Sequence, residues 1–265
     1  MTIKVAIAGA RGRMGSTAAF AITEAPDMEF VGALDYKYDG WYINSGSLTQ
    51  QQSGVRVYTS IAELAQQVRP DVLLDLTDPE AVFPNAQKAI ALGIRPVIGT
   101  SGLTLEEIDQ LKCRSEQKEI SCIVAPNFSI GAVLMMKFAT QAARYLGDVE
   151  IIEMHHDRKL DAPSGTAAKT ADMISEVRTP HIQGHPDEQV NAYGARGADV
   201  QGMKIHSVRL PGLLAHQQVL LGGEGELLTI RHDSFDRKSF MPGVLLSIRE
   251  SMRQQQFING LEQLI

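Results

Sequence analysis

The densest run of chemically capable side chains in this 265-residue sequence is Glu153-Met-His155-His156-Asp157-Arg158-Lys159-Leu-Asp161-Ala-Pro163-Ser164-Gly165-Thr166. Two imidazoles, a guanidinium and an ammonium so close together can grip an anion and deliver a proton. Extended backbone alternates its side chains, so His155 and His156 point in different directions. One can face a pocket while the other anchors structure or reaches a different substrate atom. Pro163 suits the residues just before a helix, and Ser164-Gly165-Thr166 supply a cap and N–H groups at its start. A helix start beside several cations favours a small dicarboxylate as ligand. Two other readings compete. The segment could be a polar strand-to-helix loop facing water. Alternatively, Glu153, His155 and Asp157 alternate on one strand face and could hold a divalent ion. Arg158 and Lys159 would repel a dication and a fourth ligand is not evident, so no metal is expected.

A second pattern opens the chain. Gly9-Ala10-Arg11-Gly12-Arg13-Met14-Gly15 follows an apolar run and precedes a helical one. Glycine there allows a tight turn and lets backbone amides approach a pyrophosphate at the positive helix end. The spacing is GxxGxxG rather than GxGxxG, so context carries the reading. Asp35 falls 20 residues past Gly15, at the end of the next strand, where a carboxylate meets ribose hydroxyls. The alternative is a plain glycine-rich turn followed by a solvated acid. Asp35 favours an unphosphorylated ribose, whereas Arg11, Arg13 and Lys37 offset its repulsion of a 2′-phosphate, so NADH and NADPH both remain candidates. Surface solvation is the bland explanation for the three cations. Gly99-Thr100-Ser101-Gly102 and Ala125-Pro126-Asn127-Phe128 sit at further strand ends, the ligand-binding edge of an open α/β sheet, although either could be an ordinary turn. Ser101 has no base close by in sequence, which argues against a serine nucleophile.

The elements that must position these residues alternate between strand and helix. Strands are predicted at 3–8, 28–34, 71–76, 95–99 and 121–125, and helices at 14–25, 61–68, 79–92 and 105–117. Such βαβ alternation implies a parallel sheet with right-handed crossovers. Beyond Asn127 the pattern changes. Helices are expected at 130–145 and 166–177, a strand at 148–155, and antiparallel strands at 204–210, 217–221 and 227–231. Residues 178–202 read as a loop or lid, 38–54 as a surface insertion, and 240–255 as the closing helix. The fold class is therefore α/β: a doubly wound, Rossmann-like parallel-sheet domain plus a second α+β domain with a mixed or antiparallel sheet. The boundaries expected are 1–126 with 235–265 for dinucleotide binding, and 127–234 for substrate binding and oligomerisation.

Composition narrows the function. Hydrophobic residues are 44% and charged residues 21%, the balance of a folded globular chain rather than a disordered or fibrous one. A net charge of −6 without a basic tail argues against nucleic acid or an anionic membrane as partner. No apolar run is long enough to span a bilayer. The opening MTIKVAIAGA lacks a leucine-rich signal core, and Cys113 and Cys122 are the only cysteines; a cytoplasmic location is expected.

The strings GARGRMG at 9–15, GTSGLT at 99–104, APNFSIGAVLM at 125–135 and EMHHDRKLDAPSGTA at 153–167 resemble dihydrodipicolinate reductase, also called 4-hydroxy-tetrahydrodipicolinate reductase. So do Ile205-His-Ser-Val-Arg-Leu-Pro-Gly212 and Gly222-Gly-Glu-Gly-Glu226, and the likeness spans nearly the whole chain. The resemblance implies a role in diaminopimelate and lysine biosynthesis, NADH or NADPH as hydride donor, and a homotetramer built on the C-terminal sheets. It makes His155 the acid/base histidine, Lys159 the proton donor and His156 a substrate contact. Gly165 and Thr166 match the pair that holds a substrate carboxylate. Gly9, Ala10, Arg11, Gly12, Arg13 and Met14 match the pyrophosphate turn and Asp35 the ribose acid. Gly99, Thr100 and Ser101, with Ala125, Pro126, Asn127 and Phe128, match segments lining the nicotinamide. Ser101 stands where threonine is common, and Lys37 lies one position beyond the arginine that many relatives place at the 2′-phosphate. The implied chemistry fits the residues. Reducing a conjugated cyclic imine adds hydride at one carbon and a proton elsewhere, and a tuned lysine or histidine supplies the proton for a gain of ~10²–10⁴-fold. A doubly anionic substrate explains a cationic pocket on an acidic chain, because the local field attracts it. Two further functions stay open at this point: a non-catalytic nucleotide sensor, and another imine or amino-acid dehydrogenase.

Overall fold

The computed structural model describes residues 2–44 and 46–265. Met1, the first residue of the amino-terminal string, and Ser45, inside the 38–54 stretch, lie outside the described residues. The chain forms two compact units, residues 1–129 with 240–265 and residues 130–239.

In chain order the first unit contains β1 (Ile3–Ala8), α1 (Arg13–Glu24), β2 (Met28–Leu34), β3 (Tyr42–Asn44), β4 (Ser47–Thr49), β5 (Val55–Tyr58), α2 (Ile61–Val68), β6 (Val72–Asp75), α3 (Pro79–Ala91), β7 (Arg95–Ile98), α4 (Leu105–Gln117) and β8 (Cys122–Val124). The second unit holds α5 (Ile130–Ala142), β9 (Asp148–His155), α6 (Gly165–Ser175), β10 (Ala198–Val200), β11 (Met203–Arg209), β12 (Ala215–Gly223) and β13 (Glu226–Ser234). The chain then returns to the first unit as α7 (Met241–Arg253) and β14 (Phe257–Asn259).

The first sheet runs β14-β8-β7-β6-β1-β2-β5-β3-β4, parallel from β14 to β5. Short Val- and Ile-rich runs form its centre because both faces are covered, so continuous apolar strands are required. Residues Val5 to Ala8 are fully buried. On one face Ala6, Ala8 and Leu73 pack with Ile61 and Leu64 of α2 and Ala89 of α3. Val82, Ala86 and Ile90 of α3 continue that layer over Ile98, Cys122 and Val124 with Leu111 of α4. Asp78 caps α3 and a Thr104–Glu107 capping box opens α4, so both crossovers start where the sequence signals place them. Strand order reverses between β1 and β6, and the ends of those strands are the place where such sheets bind ligands.

Four features differ from the sequence reading, the first being the strand β10 inside the stretch read as a loop at 178–202, which forms by pairing antiparallel with β11. The 38–54 stretch carries the β3–β4 hairpin, which β5 joins antiparallel to the sheet edge; its strands are only three residues long, too short for a visible periodicity. The helix predicted at 240–255 stops at Arg253, and the chain then adds β14 in parallel to β8. The strand expected at 204–210 with antiparallel partners is β11, which pairs parallel to β9 and antiparallel only to β10.

The second sheet, β10-β11-β9-β12-β13, is mixed. Its odd-numbered side chains, Val149, Ile151, Met203, Ile205, Val219 and Leu221, pack under Ala139 and Ala143, at and just beyond the end of α5, and under Ala167, Ala171 and Ile174 of α6. The opposite face presents the half-buried apolar side chains Ile152, Met154, Val208 and Leu220. Residues 178–197 lie along the start of β9 as a tethered strap: the Gln183 amide donates to the Val149 carbonyl and accepts from its N–H, His181 Nε2 meets Asp148 at 2.8 Å, and Arg196 reaches Glu150 at 2.7 Å.

Candidate active site

In the first unit the glycine turn has the close approaches its spacing suggested. Gly9 has φ +78°, and a Cβ there would lie 2.6 Å from the Leu76 carbonyl oxygen. A Cβ on Gly15 would lie 2.1 Å from the Gly9 oxygen, so any side chain would push the turn away from the helix start. Gly12 is the N-cap of α1 and offers no capping side chain, which leaves the first-turn amides directed at whatever ligand sits there. Ala10 is buried, Arg13 begins α1 and is exposed, and Met14 is half-buried beside it. Next to the turn lies a cleft of about 930 Å³, lined by Gly9, Arg11, Gly12, Asp35, Thr77 and Asn85 among others.

Asp35 follows β2, and its carboxylate is engaged by Arg11 through Nε at 2.8 Å and Nη2 at 2.9 Å. The Arg11 guanidinium stacks 4.5 Å above the Tyr38 ring, and its pKa is raised first by the Asp35 hydrogen bond. The pair thus forms a charge-balanced clamp. Lys37 turns its ammonium to Tyr36 and donates only its backbone N–H to Asp35. Gly99 allows close packing too: a Cβ would fall 2.4 Å from the Phe128 ring. Ala125 N–H donates to the Ile98 carbonyl, and Asn127 Oδ1 accepts from Ser129 N–H. The structure therefore packs the 99 and 125–128 turns together, with Pro126 and Ser101 exposed at their tips. Thr100 is buried and donates to Asp75 at 2.9 Å. Asp75 is fully buried and also accepts from Thr77 and Asn85, so it knits the β6 and β7 ends into one edge. Sequence reasoning missed Asp75, because nothing local marks it as more than the last residue of a strand.

In the second unit, β9 ends at His155, and its inward row runs Val149, Ile151, Glu153, His155. Glu153 is fully buried. Its Oε2 lies 2.5 Å from His155 Nδ1, and Arg209 binds both oxygens at 2.9 and 2.7 Å. Ser164 N–H donates to Oε1 at 3.2 Å, while the Ser164 hydroxyl caps α6 by accepting from Ala167 N–H. Burial alone would raise the Glu153 pKa, but hydrogen bonds from His155, Arg209 and Ser207 overcome it and hold the carboxyl at about 2. An ionised carboxylate only accepts, so His155 carries its proton on Nδ1 and leaves Nε2 for another partner. His156 leaves the row at the strand end, and its buried Nδ1 has no hydrogen-bond partner among the described residues. Lys159 is paired with Asp161 at 2.7 Å, and Asp161 passes its carbonyl to Arg209. Gly165 and Thr166 form the first turn of α6, Gly165 exposed and with open space where a Cβ would sit.

The structure thus gathers His155, Lys159, Gly165 and Thr166 around the Ser164 cap through Glu153 and Arg209. Arg209 was not singled out in sequence, since its partner lies 56 residues away and only the β9–β11 register brings them together. The proposed ligand set of Glu153, His155 and Asp157 is not assembled. Glu153 is consumed by Arg209 and His155, and among the described residues no group of three His, Cys, Asp or Glu could hold a metal ion.

Comparison with known proteins agrees across the chain. Residues 3–128 match the family profile "Dihydrodipicolinate reductase, N-terminus" and residues 131–265 match "Dihydrodipicolinate reductase, C-terminus". The 4-hydroxy-tetrahydrodipicolinate reductase of Lysinibacillus sphaericus is 53% identical over 265 residues, covering all of both chains. That of Halalkalibacterium halodurans is 54% identical over 263 residues, 99% of each chain. The dipicolinate-bound dihydrodipicolinate reductase from Paenisporosarcina sp. TG-14 superposes with a TM-score of 0.90 at 52% identity over the full length of both chains. An amine dehydrogenase from Mycobacterium smegmatis, TM-score 0.69 and 12% identical over 99% of this chain and 96% of its own, shares the fold alone. With both family profiles matched and relatives above half identity end to end, the chain belongs to the dihydrodipicolinate reductase family.

Proposed function

We propose that this chain reduces 4-hydroxy-tetrahydrodipicolinate to tetrahydrodipicolinate in diaminopimelate and lysine biosynthesis, using NADH or NADPH. The observation that carries this reading is the second-unit cluster. An imidazole is anchored on a buried carboxylate, a neighbouring buried His156 nitrogen lacks a partner among the described residues, and both stand beside the opening turn of α6. A buried unpaired ring nitrogen is costly unless a ligand satisfies it. A ring bearing two carboxylates would meet that nitrogen with one acid group and the α6 amides with the other.

His155 is the acid/base group, Lys159 the proton donor, His156 a substrate contact, and Gly165 with Thr166 the carboxylate cradle. Lys159 must leave Asp161 to face a dianion. That exposed pair is worth only ~0–1 kcal/mol, so the exchange is easy. The glycines whose Cβ atoms would strike Leu76 and Gly9 fit a pyrophosphate against α1, with Gly9 to Met14 as the turn and Asp35 at the ribose. Gly99, Thr100, Ser101 and Ala125 to Phe128 flank the nicotinamide, which when bound supplies the hydride. The Arg11–Asp35 clamp supports use of both coenzymes, because the guanidinium offsets the charge a 2′-phosphate would meet. No metal enters this scheme. The apolar row Ile152, Met154, Val208 and Leu220 supports assembly of the C-terminal sheets into a homotetramer, and a biosynthetic role supports a cytoplasmic location.

The test is to generate the substrate in situ with the preceding synthase and follow loss of reduced-coenzyme absorbance. Substrate-dependent oxidation of NADH, NADPH or both is expected. No oxidation with this substrate, alongside reaction with another oxo or amino acid, would replace the reading with a different dehydrogenase. Redox-dependent partner binding without any oxidation would make the chain a sensor.

A further inference from the structure

We propose that Glu153, held in place by Arg209, is the positioning residue that fixes the His155 ring with its proton on Nδ1 and its Nε2 presented to substrate. The proposal rests on the reading of His155 as the acid/base group and adds two residues to that machinery.

Glu153 is an expensive residue to place where it is. It lies on the row of β9 whose preceding members, Val149 and Ile151, form the apolar core under α5 and α6, and it is fully buried. Its neighbours in register are Ser207 on β11 and Gln217 on β12, so a polar layer crosses the sheet two residues before His155 at the strand end. Gln217 in turn donates to the Thr170 hydroxyl on α6. A buried ion pair is weak evidence of stability, because desolvation cancels most of the attraction. Simple stability therefore does not account for a carboxylate at this position.

Its connections do. Each oxygen has a distinct duty. Oε1 takes Arg209 Nη2 and the Ser164 N–H, tying the strand to the α6 cap; Oε2 takes Arg209 Nη1 and His155 Nδ1. Arg209 sits opposite His155 in the parallel register and also donates to the Asp161 carbonyl, so one guanidinium braces the loop that carries Lys159 as well. With the bidentate fork, the Ser164 N–H and the Ser207 hydroxyl also engaged, the direction left to Glu153 is the one toward the imidazole. With an acceptor on Nδ1, only Nε2 remains to exchange a proton. The imidazolium formed during turnover stays stabilised by the same carboxylate.

Glu153→Gln tests this. The amide keeps the volume and its oxygen still accepts from Arg209 Nη2 and the Ser164 N–H, but the NH2 that replaces Oε2 gives up the Arg209 Nη1 bond and offers His155 an N–H. The neutral ring must then place its proton on Nε2, the wrong atom. In the parallel case of an aspartate that orients a catalytic histidine, the amide substitution costs ~10⁴ in kcat, and here a fall of at least ~10² is expected with KM changed by less than about threefold. The ¹⁵N spectrum of the His155 ring is the readout a merely structural role would not move: wild type shows the Nδ1–H form, and Glu153→Gln shows Nε2–H. If Glu153→Gln fails to fold, Glu153→Asp serves instead. It retains the charge for Arg209 but withdraws it from the ring, and kcat falls at least tenfold. A wild-type ring carrying Nε2–H, or a folded Glu153→Gln with kcat within threefold of wild type, overturns the proposal. His155→Gln separates the two layers of argument. Normal turnover there removes the acid/base reading itself, whereas an inactive His155→Gln beside a fully active Glu153→Gln removes only the positioning role.

Discussion

Replacing Arg11 by alanine should split the two coenzymes apart. In the free chain Arg11 neutralises Asp35 through two bonds of 2.8 and 2.9 Å, and Asp35 is the more buried partner, at 8% exposure against 32%. Removing the guanidinium frees a carboxylate at the place proposed for the ribose 2′ position. A phosphate about 6 Å from that charge feels a repulsion of roughly 1–2 kcal/mol for an effective dielectric between that of a protein surface and that of water. The phosphate also loses its nearest cation. NADPH affinity should therefore fall about 10- to 30-fold, 1.4 kcal/mol being tenfold. NADH carries no such phosphate, and the freed Asp35 accepts both ribose hydroxyls, so its affinity should stay within about threefold. Fluorescence titration of each coenzyme measures both numbers without turnover. Raising the salt concentration should weaken NADPH binding less in Arg11→Ala than in wild type, since one phosphate contact is gone. Equal losses for NADH and NADPH, or a loss confined to NADH, would refute the placement of Asp35 and Arg11 at the ribose.

Other consequences can be checked as directly. Gly15→Ala drives a methyl to 2.1 Å from the Gly9 oxygen; it should destabilise the first unit by about 1–3 kcal/mol and weaken both coenzymes at least tenfold, read by thermal melting and titration. Glu153 is held at about 2 against an ordinary 4.5. A depressed carboxylate stabilises the fold above its unfolded pKa and loses that contribution as pH falls through the folded value. About 3 kcal/mol should accordingly disappear between roughly pH 4.5 and 2, and the denaturant midpoint of Glu153→Gln should depend less on pH in that window. His181 is shifted the other way, its pKa raised first by the Asp148 hydrogen bond and then by the Thr179 carbonyl. A raised histidine stabilises below its unfolded pKa and stops doing so as pH climbs past its folded value, so proteolysis of the 178–197 strap should accelerate from pH 6 to pH 9, and much less so in His181→Asn.

What could be read from sequence was whatever the chain encodes locally. The glycines at 9, 12 and 15 and the acid at 35 belong to one βαβ unit, and turn, helix start and strand end follow from steric permission and spacing. The Ser164 cap was readable for the same reason. The β3–β4 hairpin was not, because three-residue strands carry no period and their pairing depends on β5. The parallel pairing of β11 with β9 was invisible as well: it requires a crossover through α6 and the strap, while the hairpin-like spacing of the strands after Met203 suggested antiparallel neighbours throughout. That one register error hid Arg209, since only a parallel β9–β11 pair sets it opposite His155. Glu153 was noticed for its alternation with His155, but as a metal ligand. Its partners are the nearby His155 and, across the sheet, a cation that sequence proximity could not supply.

The account depends on two separately addressable sites in one chain, a glycine-turn site for the reduced coenzyme and a 155–166 site for a small dianion. Calorimetric titration of pyridine-2,6-dicarboxylate into wild type, Lys159→Ala and Thr166→Val, each followed by titration of NADH, tests that directly. The dicarboxylate should bind wild type and lose at least tenfold in both variants, with NADH affinity unchanged throughout. Undiminished dicarboxylate binding in both variants, or loss of NADH binding in step with it, would contradict the account.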